Sequence, residues 1–139
     1  MKTSLLCVLA IGLGLSAMPA LAHHSFAAEY DNKKPVDLTG TVTKVEWMNP
    51  HARFYLDVKD EKDPGKVTNW EFELGSPNGL MRQGWTRNSM KIGDSISVQG
   101  AMAKDGSNLA NARTVKLSDG RRLFAGSASE TGRDEKKEQ

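Results

Sequence analysis

From His51 to Val58 the chain alternates without interruption: Ala52, Phe54, Leu56 and Val58 are apolar, while His51, Arg53, Tyr55 and Asp57 carry polar groups. A period of two is the spacing of a β-strand, which puts one set on a buried face and the other toward solvent. Slipping the register by one residue would turn the whole apolar set outward, so this stretch demands a sheet with a core on one side. Neighbouring segments must supply the partner strands.

They do so in both directions. Val36 to Trp47 is rich in strand formers, with Leu38, Gly40 and Val42 on one side. Val45 and Trp47 then fall out of phase with Val42, which predicts a bulge near Thr43-Lys44. A first strand bent in this way suits a small barrel. Asp63-Pro64-Gly65 marks a turn, after which Trp70, Phe72 and Leu74 point inward and Glu71 and Glu73 outward. Ser76-Pro77 has the form of a helix start and Gly84 that of a left-handed stop, so about two turns of helix fit between them, with Leu80 and Met81 as apolar contacts. Trp85 to Lys91 is a connector. Ser95 to Gly100 forms a fourth strand with Ile96 and Val98 inward, and Leu109 to Leu117 a fifth with untidy alternation. Asp119-Gly120 then turns into a short edge strand, Arg121 to Ala125. The expected fold is mainly β: a small OB-fold-like five-stranded barrel with one short helix between strands three and four. Seven evenly spaced strands, the mark of a β-sandwich, are not visible.

The two ends read differently. Lys2, the apolar run Leu5 to Leu15 and the small-x-small site Ala20-Leu21-Ala22 have the layout of an export signal, and the run is short for a membrane span. Cleavage after Ala22 removes 22 of 139 residues and leaves 117, enough for one domain, expected over residues 23–126 with an N-terminal arm. Residues 127–139 are polar, charged and without periodicity, the composition of a disordered tail. The single cysteine, Cys7, lies inside the signal, so the mature chain has no disulfide and must be stable through packing alone. The expected location is the periplasm or the exterior. Loss of Lys2 leaves 18 basic residues (one fewer than 19) against 17 acidic, a net charge of +1, which is not the footprint of a nucleic-acid binder.

The segments His23-His24-Ser25-Phe26, Trp47-Met48-Asn49-Pro50-His51, Ser76-Pro77-Asn78-Gly79-Leu80, Gly84-Trp85-Thr86-Arg87 and Asp119-Gly120-Arg121 with Leu123-Phe124-Ala125-Gly126 resemble those of a family of exported bacterial single-domain proteins of unknown function. The resemblance spans nearly all of the mature chain. It implies one exported domain and brings no catalytic residues.

Chemistry must therefore be read from the side chains. All three histidines lie in the first two of those motifs. After cleavage, His23 is the amino terminus, whose α-amine and ring Nδ1 can chelate one metal ion. A second imidazole completes a T-shaped nitrogen set that favours Cu(II). His51 is the expected third donor, because the arm can fold back over the turn between the first two strands. His24 is a further donor or a surface residue, and Met48 a soft axial ligand; Zn²⁺ competes for the same nitrogens. The alternative is structural: His23-His24 is a polar terminus, and His51 a turn residue whose ring bonds a backbone carbonyl. In that case the chain is a non-catalytic interaction or small-ligand module, with Asn78, Trp85 and Arg87 as the ligand-binding candidates and a periplasmic protein or small molecule as the partner. Trp85 has a second reading as core.

An enzyme is not expected. The chain has no thiol nucleophile after cleavage, no glycine-rich phosphate loop and no H-E-x-x-H helix, and Ser76 reads as a helix cap. Brace copper can activate oxygen, but no surface for a second substrate is legible. The outward set Arg53, Tyr55, Glu71 and Glu73 occupies the face that OB-folds use for ligands, where two glutamates would repel phosphate.

Overall fold

The computed structural model describes residues 26–126. In chain order the elements are α1 (Phe26–Glu29), β1 (Tyr30–Glu46), β2 (Arg53–Lys59), β3 (Val67–Glu73), α2 (Pro77–Arg82), β4 (Ser95–Ala103), β5 (Leu109–Lys116) and β6 (Arg122–Phe124). The strands form one sheet in the order β3-β2-β1-β4-β5-β6, with an additional parallel pairing between β3 and β5. The remaining pairings are antiparallel.

The alternation from Ala52 onward determines the inner face. Phe54 and Leu56 are fully buried, and Phe54 stacks on Phe72 of β3 with ring centroids 5.0 Å apart. Val42, Ile96, Val98, Ala110, Ala112 and Val115 complete this core from β1, β4 and β5. Each large side chain removed from water contributes about 1.5–3 kcal/mol. The bulge expected in β1 lies between Val42 and Lys44, where the register against β2 shifts. It brings Val45 and Trp47 against the same core. Gly40 is required nearby, because a Cβ there would lie 2.3 Å from the carbonyl oxygen of Asp57.

The short helix is built as its sequence suggests. The Ser76 hydroxyl accepts a bond from the Gly79 amide, Pro77 opens the first turn, and Gly84 takes a positive φ of 93°. Leu80 enters the core, but Met81 is 51% exposed, contrary to expectation. So short a helix presents one narrow face, and Pro77 and Leu80, three apart, already fill it.

The sheet differs from expectation at two further places. The first strand begins at Tyr30 rather than Val36, because Tyr30 and Asp31 pair with Ala103 and Met102 of β4. Part of the expected arm is thus sheet. In β5 the buried residues Ala110 and Ala112 precede a register shift, and Val115 and Leu117 resume the inward set after it. Arg113 is the extra residue, which explains the untidy alternation.

Candidate functional site

On the solvent side of β4, Ala101 and Ala103 are small enough for another segment to lie on them. Tyr30, paired to Ala103, covers them together with Phe26 and Leu109, forming a second apolar cluster on the face opposite the main core. Phe26 and Tyr30 pack with ring centroids 5.4 Å apart. Lys104 holds α1 in place through its backbone N–H, which donates to the Glu29 carbonyl at 2.9 Å, and through Nζ, which donates to the Ala27 carbonyl.

Beside this cluster runs a charged strip contributed by β2 and β3. Arg53 donates from one guanidinium nitrogen to Glu71 at 2.8 Å and from another to Glu73 at 3.3 Å. The Glu73 side chain is only 13% exposed. Tyr30 is 3% exposed, and its hydroxyl has no hydrogen-bond partner among the described residues. Burial pushes this phenol far above its usual range, and the Glu73, Glu29 and Glu71 carboxylates push in the same direction against the opposing charge of Arg53. Tyr30 is therefore a neutral phenol in an electronegative corner. Farther along the strip, Lys44 bonds Glu46 at 2.5 Å, which raises the lysine and lowers the glutamate. Tyr55 donates to the same Glu46 at 3.3 Å.

His51 stands at the start of this strip, just before β2. The β2–β3 pairing is extended past it by Ala52 N–H to the Gly75 carbonyl at 3.0 Å and Leu74 N–H to the Ala52 carbonyl at 2.9 Å. This fixes the Leu74 carbonyl 2.9 Å from His51 Nδ1. A carbonyl only accepts, so Nδ1 carries the proton and Nε2 of the neutral ring keeps its lone pair. Glu73 Oε1 lies 3.9 Å from Nδ1, and the imidazole is 39% exposed. A carbonyl or carboxylate behind the ring is the usual means of fixing a metal-binding histidine's tautomer.

The other sequence candidates separate. His23 and His24 lie outside the described residues. Met48 is 57% exposed in the turn between β1 and β2, which contains a cis Asn49–Pro50 bond. Among the described residues no group of three or more His, Cys, Asp or Glu is placed to hold a metal ion. Trp85 is buried, with its indole N–H donating to the Phe124 carbonyl at 2.7 Å. Trp85 and Arg87 share an apolar recess with Trp47 and Met90, but Asn78 is exposed on α2 and does not line it. At about 10 Å³ the recess is at the size limit for one water molecule.

Phe26 and Tyr30 are the large apolar anchors that the sequence offers for an arm laid over the domain, and both pack on the sheet, but sequence reasoning did not mark Tyr30 as a site residue. Its signal was the pair Ala101 and Ala103, two small apolar side chains on a strand face otherwise polar, which implied a cover.

Among the described residues no helix is long and apolar enough to cross a membrane. No curated protein matches the chain, and no solved structure does. Residues 12–112 match a family described as a family of unknown function (DUF6152), and the chain belongs to that family.

Proposed function

We propose that this chain is an exported domain that binds copper through the amine and ring of His23, after cleavage behind Ala22, and through Nε2 of His51. Its role is carriage or sequestration of the metal, with His24 or Met48 as an auxiliary donor. The observation that carries the reading is the His51 ring: Nδ1 is tied to the Leu74 carbonyl at 2.9 Å, the side chain is 39% exposed, and the opposite nitrogen has no hydrogen-bond partner among the described residues. Such pre-orientation lowers the ordering cost of binding. The export reading rests on Lys2, the Leu5 to Leu15 run and the Ala20-Leu21-Ala22 site.

An OB-fold barrel is part of the same reading. The pairings run from β1 to β2, β2 to β3, β3 to β5, β5 to β4 and β4 back to β1, with α2 between β3 and β4. That circuit supports a five-stranded barrel, to which β6 adds a short edge.

The opposing reading, an interaction module in which His51 only anchors its turn, uses the same carbonyl bond and is separated by experiment. The chain beginning at His23, a version with one extra residue before it, and His51→Ala are each titrated with Cu(II) and followed by electron paramagnetic resonance. Copper held by amine and imidazole gives a nitrogen-rich tetragonal signal in the first protein and loses it in the other two. Equal, weak binding by all three refutes the proposal.

A further inference from the structure

On the solvent side of the sheet one row crosses four strands: Thr39 of β1, Ser97 of β4, Lys116 of β5 and Arg122 of β6 are successive register partners. Residues directly opposite one another share a face, with Cβ atoms about 5 Å apart. Lys116 and Arg122 therefore set two cations side by side, an arrangement that destabilises a sheet. No carboxylate of the described residues relieves it. The Lys116 ammonium has no partner among the described residues, and Arg122 reaches only the neutral Gln99 side-chain carbonyl at 3.5 Å. The carboxylates of this region are engaged elsewhere: Asp119 pairs with Arg121 at 2.8 Å, and Asp37 accepts from Gln99 Nε2 at 2.8 Å.

Lys116 also lines an open groove of about 420 Å³, with Ser95, Ser97, Ser118 and the Asp119-Gly120 turn among its other walls. That volume is in the range of small-molecule sites, roughly 300–1,000 Å³. The Thr39 and Ser97 hydroxyls bond each other at 2.8 Å, which uses one of their two hydrogens and leaves the other to donate. Ser95 and Ser118 are exposed, and their hydroxyls have no partner among the described residues. On the outward face of β2 and β3, by contrast, two glutamates surround Arg53.

An anion that fits must answer two cations at once. A carboxylate or a sulfate ester brings a single charge. A phosphate monoester carries about −1.5 to −2 at neutral pH on three acceptor oxygens, enough to bridge Lys116, Arg122 and a serine hydroxyl. The guanidinium fork also matches phosphate geometry. The remaining hydroxyls suit a hydroxylated carbon skeleton rather than an apolar one.

We propose that this groove binds a small hydroxylated phosphate monoester, such as a sugar phosphate, with its phosphoryl group between Lys116 and Arg122 and its hydroxyls on Ser95, Ser97 and Ser118. The site depends neither on copper nor on cleavage after Ala22. A local rule broken in one place and kept elsewhere is expected where a protein binds something.

Isotope-labelled protein is titrated at about pH 7.5, where the second phosphate proton is lost, and followed by its amide resonances. The probes are glucose 6-phosphate, glycerol 3-phosphate, inorganic phosphate, glucose 6-sulfate and glucose. Both phosphate esters are expected to give saturable shifts at Ser97, Lys116 and Arg122, with an affinity about tenfold above that for inorganic phosphate and for glucose 6-sulfate; glucose gives none. Lys116→Gln and Arg122→Gln each weaken the esters about tenfold, the loss of one charge-assisted bond, whereas Lys116→Arg keeps the charge and most of the binding. Both side chains are exposed, so the variants keep the fold, which circular dichroism verifies. The proposal is overturned if neither ester binds saturably, if inorganic phosphate or glucose 6-sulfate binds as well as glucose 6-phosphate, or if both glutamine variants bind the esters like the wild type.

Discussion

Gly100 is the residue on which the bed beneath Tyr30 depends. A Cβ at this position would stand 1.9 Å from the carbonyl oxygen of Asn111 and 2.9 Å from its carbonyl carbon, where ordinary contact begins at 3.4 Å. Both opposing atoms are backbone, so no side-chain rotation relieves the overlap, and β4 must move away from β5. The affected pairs are Gly100↔Ala112 and Ala101↔Asn111, at the register shift. Loss of two ladder bonds costs about 1 kcal/mol each, and desolvated groups left unpaired raise the total to about 3–4 kcal/mol. Against the ~5–15 kcal/mol that holds a domain together, this is a large fraction. Gly100→Ala should therefore lower the thermal midpoint by about 15 °C and shift the urea midpoint without changing the slope. Gly106→Ala is the control. It has a φ of 78° but nothing within 4 Å, so only backbone strain opposes the methyl, at about 1 kcal/mol. Far-ultraviolet circular dichroism during urea unfolding measures both. A Gly100→Ala shift no larger than that of Gly106→Ala would refute the claim that the two strands touch here through backbone.

Trp85→Phe removes the indole N–H from the Phe124 carbonyl and leaves a gap beside Leu80, so it should cost about 2–4 kcal/mol in the same assay. Ser76→Ala deletes the cap on the Gly79 amide and should cost about 1 kcal/mol. Asp60, Asp105 and Asp119 are held below the ordinary value of 3.8, Asp60 and Asp119 chiefly by backbone N–H donors and Asp105 by the Ser107 hydroxyl and amide. Their folded forms bind fewer protons than the unfolded chain, so their contribution is complete above that value and is lost as pH falls through the depressed ones. Unfolding followed from pH 6 to pH 2 should show this loss only below about pH 4, and replacing all three by Asn should flatten it. Tyr30→Phe should raise stability by about 1 kcal/mol, since it deletes a buried hydroxyl that has no partner among the described residues; a loss instead would mean that the hydroxyl is already satisfied.

Local rules made part of this molecule readable in advance. The alternation from His51 to Val58, the phase slip at Thr43, the Ser76-Pro77 cap and the Gly84 stop depend on residues a few positions apart, and each has its counterpart in the structure. Met81 departs from its expected place because its exposure depends on how much of a short helix the core can accept. The extension of β1 to Tyr30 is not legible locally because its partner, Ala103, is at the far end of β4. Of the site, the sequence singled out His51 and the outward carboxylates of β3. It carried no sign of the Leu74 carbonyl that determines which nitrogen of His51 is free.

By itself, then, the sequence determined which faces of the strands turn inward, where the first strand bends and where the helix begins, because side-chain period, capping and glycine conformation are local properties of the chain. Tertiary structure alone decided that Tyr30 lies on Ala101 and Ala103, that Glu73 stands between Arg53 and His51, and that one phenol oxygen is left without a partner among the described residues. Those juxtapositions join strands distant in sequence, and only their pairing brings the groups into reach of one another.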